Sequence, residues 1–195
     1  MDLVITRRTR LRAPAGDPDL RFVHPVLTHP RCSSPFRWRG STPPFEQFIE
    51  TMFEGVLFCC VVLTRRGGVP IGVVFLSGAN LRDQHAFISV AAEPQIHSTG
   101  AVIEAVFGSI EYIFRQWPLH KLYADTDEVA LRQFKSVVGR YMTIEGTFHD
   151  HLFRDGRRVA VHRLALYRGT WQAERVRAVR ALRIEMPSPG GATQP

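Results

Sequence analysis

The spacing of hydrophobic residues along the chain alternates between the period of two that is typical of strands and the longer period of helices. Two apolar, β-branched runs, VLFCCVVLT and IGVVFLSG, flank the turn sequence RRGGVP and predict a β-hairpin. The run HAFISVAA predicts a further strand. The segment that follows predicts a helix, because its apolar residues share one helical face: Ala101, Val102, Ala105, Val106, Ile110, Ile113 and Phe114.

The rest of the chain completes a series of strands and helices. Before the hairpin, residues 4–12 predict a strand, DPDLRFVHPVL predicts a helix with Asp17 as its N-cap, and STPPFEQFIETMF predicts a second helix. After the long helix, HKLYADT predicts a strand, EVALRQFKSVV a helix, and TIEGTFHDHLF with RVAVHRLALY a closing hairpin. This order indicates an α/β fold with a mixed, mostly antiparallel sheet, in which one helical crossover joins two parallel strands.

The composition is that of a globular protein, with 195 residues of which 45% are hydrophobic, enough for a buried core in one domain. No apolar run is long enough to span a membrane, and the first residues lack the apolar segment of a signal peptide, so we expect a cytoplasmic protein. Cys59 and Cys60 are adjacent in an apolar strand, which predicts buried, reduced thiols on opposite faces. No Cys/His spacing predicts a metal site.

The formal net charge of +7 comes mainly from dispersed arginines. Such a surface is either simply solvated or suited to an anionic ligand, such as a nucleotide or RNA. After Trp171, the sequence AERVRAVRALRI predicts a basic helix that either docks on the domain or contacts RNA or an acidic partner. We therefore divide the chain into one domain over residues 1–171, a basic helical tail over 172–186 and a disordered tail over 187–195.

The stretch AAEPQIHSTG leads from a predicted strand directly into the long helix. Ser98 or Thr99 can cap this helix, and the free N–H groups of a helix start attract anions. The loop is therefore either an ordinary capped helix start or a phosphate-binding turn. Ligands of open α/β sheets collect where a strand passes into a crossover helix of this kind.

Many residues between Phe87 and Trp171 match the sequence pattern of one known family in a single alignment without gaps. They are Pro94, Gly100, Glu104-Ala105, Tyr112, Phe114, His120-Lys121-Leu122, Glu145-Gly146, Asp155-Gly156, Arg168 and Trp171. On these residues the chain resembles the GNAT N-acyltransferase superfamily, and within it the ribosomal-protein N-terminal acetyltransferases (RimJ/RimL-like). The resemblance implies a GNAT-like sheet with a splayed pair of parallel strands and flanking helices.

The resemblance also implies a place for acyl-CoA. The family motif R/Q-x-x-G-x-G/A wraps the pyrophosphate of the cofactor with backbone N–H groups, and the pantetheine arm lies along the strand before it. In this chain the implied cofactor-binding residues are Val90, Ala91, Ala92, His97, Ser98, Thr99, Gly100, Ala101 and Val102. The acceptor amine attacks the thioester directly in such enzymes, after losing its proton to a base or to water.

Several positions depart from the family pattern, so the acyl-CoA motif is degenerate. His97 replaces Arg or Gln, and Val102 replaces a small residue. Phe87 stands where the branch often has Glu, and Val137 where many members have the Tyr that protonates the leaving thiolate. The usual cofactor contacts and acid–base pair are therefore loosened.

Other residues must carry the chemistry if the chain is an enzyme. We expect Asp125, which ends the strand lining the cleft, and His149 on the closing hairpin to be the catalytic candidates. The aromatic residues of the loop 30–44, Phe36 and Trp38, are predicted to bound the acceptor cleft. His149 and His151 alternate along a predicted strand and lack a third ligand, so we expect no metal there.

These observations favour an N-acyltransferase, most simply an acetyltransferase, that uses acetyl-CoA or another acyl-CoA as co-substrate. The acceptor is a primary amine of a small molecule or of a peptide N-terminus. Two alternatives stay open. In the first, the acyl or aminoacyl donor is carried by an aminoacyl-tRNA or an acyl-carrier protein, which suits the basic surface. In the second, the chain is a catalytically silent GNAT-like binding module. The sequence leaves the oligomeric state open.

Overall fold

The computed structural model describes residues 1–29, 38, 41, 43–93, 99–133 and 137–187. The strands are β1 (Asp2–Ile5), β2 (Thr9–Arg12), β3 (Val56–Thr64), β4 (Pro70–Asn80), β5 (His85–Ala92), β6 (Lys121–Asp127), β7 (Thr143–Arg154) and β8 (Arg157–Tyr167). The helices are α1 (Gly16–Thr28), α2 (Phe45–Met52), α3 (Thr99–Gln116), α4 (Glu128–Gln133) and α5 (Arg168–Leu182).

The eight strands form one sheet in the order β1-β2-β3-β4-β5-β6-β8-β7. Neighbouring strands are antiparallel except β5 and β6, which run parallel and are joined through α3. The mixed, mostly antiparallel sheet with one helical crossover is thus confirmed. The parallel pair is short, because β5 and β6 pair only from His85–Lys121 to Phe87–Tyr123. Beyond that point the two strands separate, and a gap opens in the middle of the sheet.

Hydrophobic clusters cover both faces of the sheet. One cluster packs α3 and α5 on one face, and a second packs α1 and α2 on the other. Cys60 belongs to the first cluster and Cys59 contacts the second, so the prediction of thiols on opposite strand faces is confirmed. Among the described helices, none is both long and apolar enough to cross a membrane.

Helix α3 is buried on more than the face that its apolar pattern predicted. Glu104 and Glu111 are each 2% exposed, because the β1–β2 turn covers Glu104 and α5 covers Glu111. Glu111 accepts hydrogen bonds from Trp171 (2.9 Å), Arg115 (2.8 Å) and Arg175. Burial alone would raise the pKa of Glu111, but the hydrogen bonds from Arg175 and Trp171 outweigh it and hold the pKa below its usual value.

The C-terminal end of α3 is closed by Arg168, the first residue of α5. Its guanidinium donates to the carbonyl oxygens of Phe114 (2.7 Å), Trp117 (2.5 Å) and Leu119 (2.5 Å). Carbonyl groups at a helix end have no partner inside the helix, and a cation there also complements the helix dipole. Arg168 therefore joins α3 to the start of α5.

Some local predictions were wrong. Helix α1 begins at Gly16 with Ala15 as its N-cap, not at Asp17, and the carboxylate of Asp19 accepts the Ala15 N–H at 2.6 Å. In the closing hairpin, β7 has two more residues than β8 between the pairs Phe148–Val161 and Leu152–Val159. This bulge interrupts the alternation of side chains that was expected to place His149 and His151 on one face of the strand.

We expect Arg168→Ala to lower the free energy of unfolding by about 2–3 kcal/mol, because three carbonyl groups at and just after the end of α3 lose a charged donor. Urea denaturation measures the change. Arg177→Ala on the exposed side of the same helix is the matched control and should change stability by less than about 0.5 kcal/mol. Equal losses in the two variants would show that Arg168 does not hold the helices together.

Candidate functional site

The gap between β5 and β6 exposes backbone groups on the β5 side. The N–H of Glu93 donates to the carbonyl of Ile71 at 3.0 Å, which continues the β4–β5 ladder. Peptide groups in an antiparallel pair alternate between facing the partner strand and facing away from it. The peptide groups of Ile88, Val90 and Ala92 therefore point towards β6, and β6 has moved away beyond Phe87.

The β6 side offers backbone groups to the same gap. The N–H of Arg168 donates to the carbonyl of His120 at 2.8 Å, which fixes the alternation of the β6–β8 ladder. Peptide groups of Asp125 and Asp127 consequently face β5. The carboxylate of Asp127 accepts the N–H of Ala130 at 2.9 Å, so it also caps α4. The gap is therefore a slot in which backbone donors and acceptors on both walls have no strand partner among the described residues.

A cavity of about 80 Å³ lies beneath the slot on the side of α3. Its walls are mainly apolar and come from β5, α3, β6, α4 and β8. The lining residues are Ile88, Ser89, Val90, Ile103, Val106, Phe107, Ile110, Ala124, Asp125, Thr126, Ala130, Val137, Tyr141, Met142, Leu164 and Leu166. An apolar cavity reached through a slot of free peptide groups suits a long, flexible chain that carries amide groups.

An aromatic patch built around Arg163 occupies the opposite face of the sheet at the slot. Its guanidinium lies 4.8 Å from the ring centre of Phe87, 5.0 Å from that of Phe148 and 5.5 Å from that of Tyr123. Nε and Nη2 of Arg163 donate to the two carboxylate oxygens of Asp125 at 2.8 and 2.7 Å. These hydrogen bonds raise the pKa of Arg163. We call these five residues the Arg163 patch.

The two predicted catalytic residues lie in different surroundings. Asp125 borders the cavity, as expected for a residue at the end of the strand, but its carboxylate lies on the opposite face of the sheet, where Arg163 binds both of its oxygens. His149 is exposed in the β7 bulge, beside Asp150 at φ 52°, and does not line the cavity. The structure therefore brings Asp125 to the slot and leaves His149 outside it.

The predicted cofactor-binding residues that the structure describes lie at the end of β5 and in the first turn of α3. Val90, Ala91 and Ala92 end β5, and α3 begins at Thr99. Gly100, Ala101 and Val102 form the first turn of that helix, with Ala101 buried and Val102 half-buried. His97 and Ser98 lie outside the described residues.

The predicted acceptor-cleft residues receive less support. Phe36 lies outside the described residues. Trp38 is 7% exposed, and its ring packs 5.1 Å from that of Phe48 in the cluster of α1 and α2. The indole ring therefore belongs to the core beneath these helices rather than to an open cleft wall.

A second polar cluster, which the sequence did not suggest, lies at the start of β6. Glu145 accepts hydrogen bonds from Tyr167 and from Lys121, whose Nζ lies 3.1 Å from Oε2. The hydrogen bond from Tyr167 and the charge of Lys121 lower the pKa of Glu145. The cross-strand pair Lys121–Tyr167 could only be recognised once the β6–β8 register was known. Within the described ranges, no group of three His, Cys, Asp or Glu side chains is arranged to hold a metal ion.

The fold is shared with solved enzymes, although no family model and no curated protein matches the sequence. Mutant forms of the spermidine/spermine N-acetyltransferase SpeG from Vibrio cholerae match with a TM-score of 0.68 at 21% identity, over 85% of this chain and 98% of that one. The chain has the GNAT fold. The spermidine N-acetyltransferase from Vibrio cholerae in complex with CoA and spermine matches with a TM-score of 0.68 at 20% identity, over 84% and 98% of the two chains.

A third structure, the SpeG enzyme of Vibrio cholerae in complex with manganese ions, matches with a TM-score of 0.67 at 20% identity, over 88% of this chain and 96% of that one. Identities at this level establish the fold alone. They confirm the GNAT-like architecture implied by the resemblance, and they lend no support to its RimJ/RimL-like branch.

Cys60, which is buried, and Cys59, which is half-buried, are excluded as nucleophiles of this site. Sγ of Cys60 lies 3.8 Å from Oγ of Ser109 on α3, in the core. Burial raises the pKa of the Cys60 thiol to about 12, and it also raises the pKa of Cys59. Only the thiolate is a good nucleophile, so both thiols are inert in the folded chain.

Ellman's reagent at pH 8 tests this assignment. In a Cys32→Ser variant, we expect Cys59 and Cys60 to react at least about 10³-fold more slowly than a free cysteine, because the thiolate fraction falls with the raised pKa. Both thiols should react at once after unfolding in guanidinium chloride. Rapid reaction of one thiol in the folded protein would contradict the burial of β3.

Proposed function

We propose that the chain is an N-acyltransferase that moves an acyl group, most simply acetyl, from CoA to a primary amine by direct attack. The observation that carries the proposal is the slot between β5 and β6, where free peptide groups lie above an apolar cavity. The pantetheine arm of CoA is a long chain with two amides, and it can bond to the peptide groups as an added strand would. The match to a spermidine N-acetyltransferase in complex with CoA and spermine supports this donor.

The finer resemblance to ribosomal-protein N-terminal acetyltransferases remains a proposal about the acceptor. A peptide N-terminus and a small-molecule amine both fit the slot. A polycation such as spermine fits less well, because the carboxylates of Asp125, Asp127 and Glu145 are each paired with an arginine or a lysine. The net charge of +7 also repels a polycation. We therefore favour an amine with few positive charges and a planar or aromatic group that can pack on the Arg163 patch.

In this reaction the peptide N–H of Val90, which faces the slot, stabilises the negative charge that develops on the thioester oxygen. Asp125 lies at the same slot and receives the proton of the amine through water, while Arg163 holds its carboxylate in place. We assign no step to His149.

The leaving thiolate needs a proton donor, and Val137 cannot supply one. Tyr141, four residues later, lines the same cavity and carries a phenol. Its ring packs edge-on against Phe107 of α3, with 4.8 Å between the ring centres. We infer that Tyr141 replaces the missing tyrosine and protonates the sulfur.

Binding of the donor is the first test. Purified, nucleic-acid-free protein is titrated with acetyl-CoA and CoA by calorimetry, and thermal shift follows the stabilisation that binding must produce. We expect micromolar dissociation constants and, with acetyl-CoA and a panel of primary amines, release of the free CoA thiol. The panel includes spermidine, a short peptide with a free N-terminus and an aromatic amine. No binding at millimolar CoA would contradict the proposal and leave the two alternatives, a donor on an acyl-carrier protein or aminoacyl-tRNA and a silent binding module.

Val90→Pro removes a peptide N–H that β4 does not use, so the fold should tolerate it as an edge strand tolerates proline. We expect kcat to fall roughly 10²-fold, because one donor to the developing oxyanion is lost. Ser89→Pro is the matched comparison, since its N–H belongs to the β4 ladder and its loss should lower the melting temperature much more. A folded Val90→Pro variant with unchanged kcat would rule out this oxyanion donor.

Tyr141→Phe removes the phenol and keeps the ring that packs on Phe107. We expect kcat to fall by 10²-fold or more, in line with the loss of a general acid, while the dissociation constant for CoA stays the same. A variant that loses CoA affinity and keeps its kcat would show that Tyr141 only packs against the ligand.

A further inference from the structure

The sheet topology brings two turns and the start of α3 to the end of the sheet where the slot opens. Gly72 at the start of β4 pairs with Ala92 at the end of β5, and Thr9 at the start of β2 pairs with Thr64 at the end of β3. The β1–β2 turn, the β3–β4 turn and the start of α3 therefore lie at one end of the sheet. Each of the first two turns carries adjacent arginines, and the sequence separates these pairs by more than fifty residues.

The arginines of these turns line one groove, which we call the arginine groove. Its lining residues are Arg7, Arg8, Thr64, Arg65, Arg66 and Arg183, and its volume is about 760 Å³. Backbone hydrogen bonds fix the two turns to each other and the β1–β2 turn to the end of α5. The N–H of Arg65 donates to the carbonyl of Arg8 at 2.7 Å, and the N–H of Arg7 donates to the carbonyl of Leu182 at 3.0 Å.

Arg8 lies directly over the first turn of α3. A Cβ added at Gly100 would overlap Nη1 of the Arg8 guanidinium, so the absence of a side chain at Gly100 makes room for this cation. Buried Glu104, one turn further along α3, holds the β1–β2 turn in place. It accepts the N–H of Arg8 at 2.7 Å and the hydroxyl of Thr6 at 2.9 Å.

The positive charge of the groove is poorly compensated. Glu104 is the carboxylate near Arg7 and Arg8, at 3.9 and 3.5 Å, and both of these side chains remain about half exposed. Arg65, Arg66 and Arg183 have no carboxylate partner in the part of the chain that the structure describes. Elsewhere, arginines such as Arg12 and Arg163 are paired with carboxylates. Five arginines around a groove with one buried carboxylate suit a ligand with several negative charges.

We propose that the arginine groove binds the phosphate groups of acyl-CoA, with Arg8 beside the diphosphate at the start of α3. This inference rests on the proposed function. In this arrangement Arg8 supplies, from the β1–β2 turn, the positive charge that an arginine would bring to the family motif at the position where this chain has His97. The arginines of the β3–β4 turn and Arg183 then lie further along the groove and receive the 3′-phosphate of the ribose.

The test compares CoA, dephospho-CoA, which lacks the 3′-phosphate, and pantetheine, which lacks all the phosphates. We expect the wild-type protein to bind them in that order of decreasing affinity. Arg8→Gln should weaken CoA and dephospho-CoA binding roughly tenfold, the size of one charge-assisted contact, and leave pantetheine binding unchanged. Arg65→Gln should weaken CoA binding and reduce the preference for CoA over dephospho-CoA.

Two further variants separate this effect from a general loss of charge or of folding. Arg177→Gln on the exposed side of α5 removes one positive charge away from the groove and should leave all affinities unchanged. Gly100→Ala keeps every charge but displaces the Arg8 guanidinium, so it should weaken CoA binding as Arg8→Gln does. Melting temperatures show whether each variant is folded, and Arg8→Lys should restore part of the affinity.

The outcomes separate this inference from the proposed function. If the wild-type protein binds CoA and the groove variants bind it equally well, the groove is not the phosphate site and the proposed function stands. If the wild-type protein does not bind CoA at all, both fail. If Arg8→Gln and Arg65→Gln abolish binding of a short single-stranded RNA and leave CoA binding intact, the groove is a nucleic-acid site and the inference is overturned.

Discussion

The parallel pairing of β5 with β6 stops after three residue pairs, and the arrangement of the site depends on that limit. The connection between the two strands is the buried helix α3 of 18 residues, which packs across the sheet and contributes one wall of the cavity. A continuous ladder would use the peptide groups of Val90 and Asp125 for pairing and would close the cavity. The separation instead leaves these groups available, and the antiparallel ladders on either side keep each strand straight enough to present them.

The interaction of α3 with its surroundings explains how a slot of this kind is held open. Buried Glu104 ties the start of the helix to the β1–β2 turn, and buried Glu111 ties its middle to α5. Each carboxylate is satisfied by donors from another element, which makes its burial tolerable. Arg168 then fixes the far end of the helix. The helix is thus attached at three levels, and the wall that it gives to the cavity has a fixed position relative to both strands.

The sequence predicted β3 to β8, the crossover helix and the fold class, because those depend on local periodicity and on one register of weak family matches. It predicted a single strand over residues 4–12, where the structure has β1 and β2 joined by a turn. It did not predict the burial of Glu104 and Glu111, since the apolar pattern of α3 records the face on the sheet and not what covers the other sides. The Arg163 patch and the arginine groove were equally hidden. Their members are distant in sequence, and only the strand pairing brings them together. The exposed position of His149 follows from a bulge that alternation alone cannot reveal.

The bulge in β7 also interrupts one edge of the sheet. β7 is the outer strand, so among the described residues one of its edges has no neighbouring strand, and Ile144, Phe148 and Phe153 on it are exposed. A flat, apolar edge of this kind is a template on which strands of other copies add to form aggregates. The irregular segment around Asp150 breaks the edge into two short pieces and adds charge between them. A long outer strand divided in this way offers other strands a shorter straight edge than its twelve residues would otherwise give.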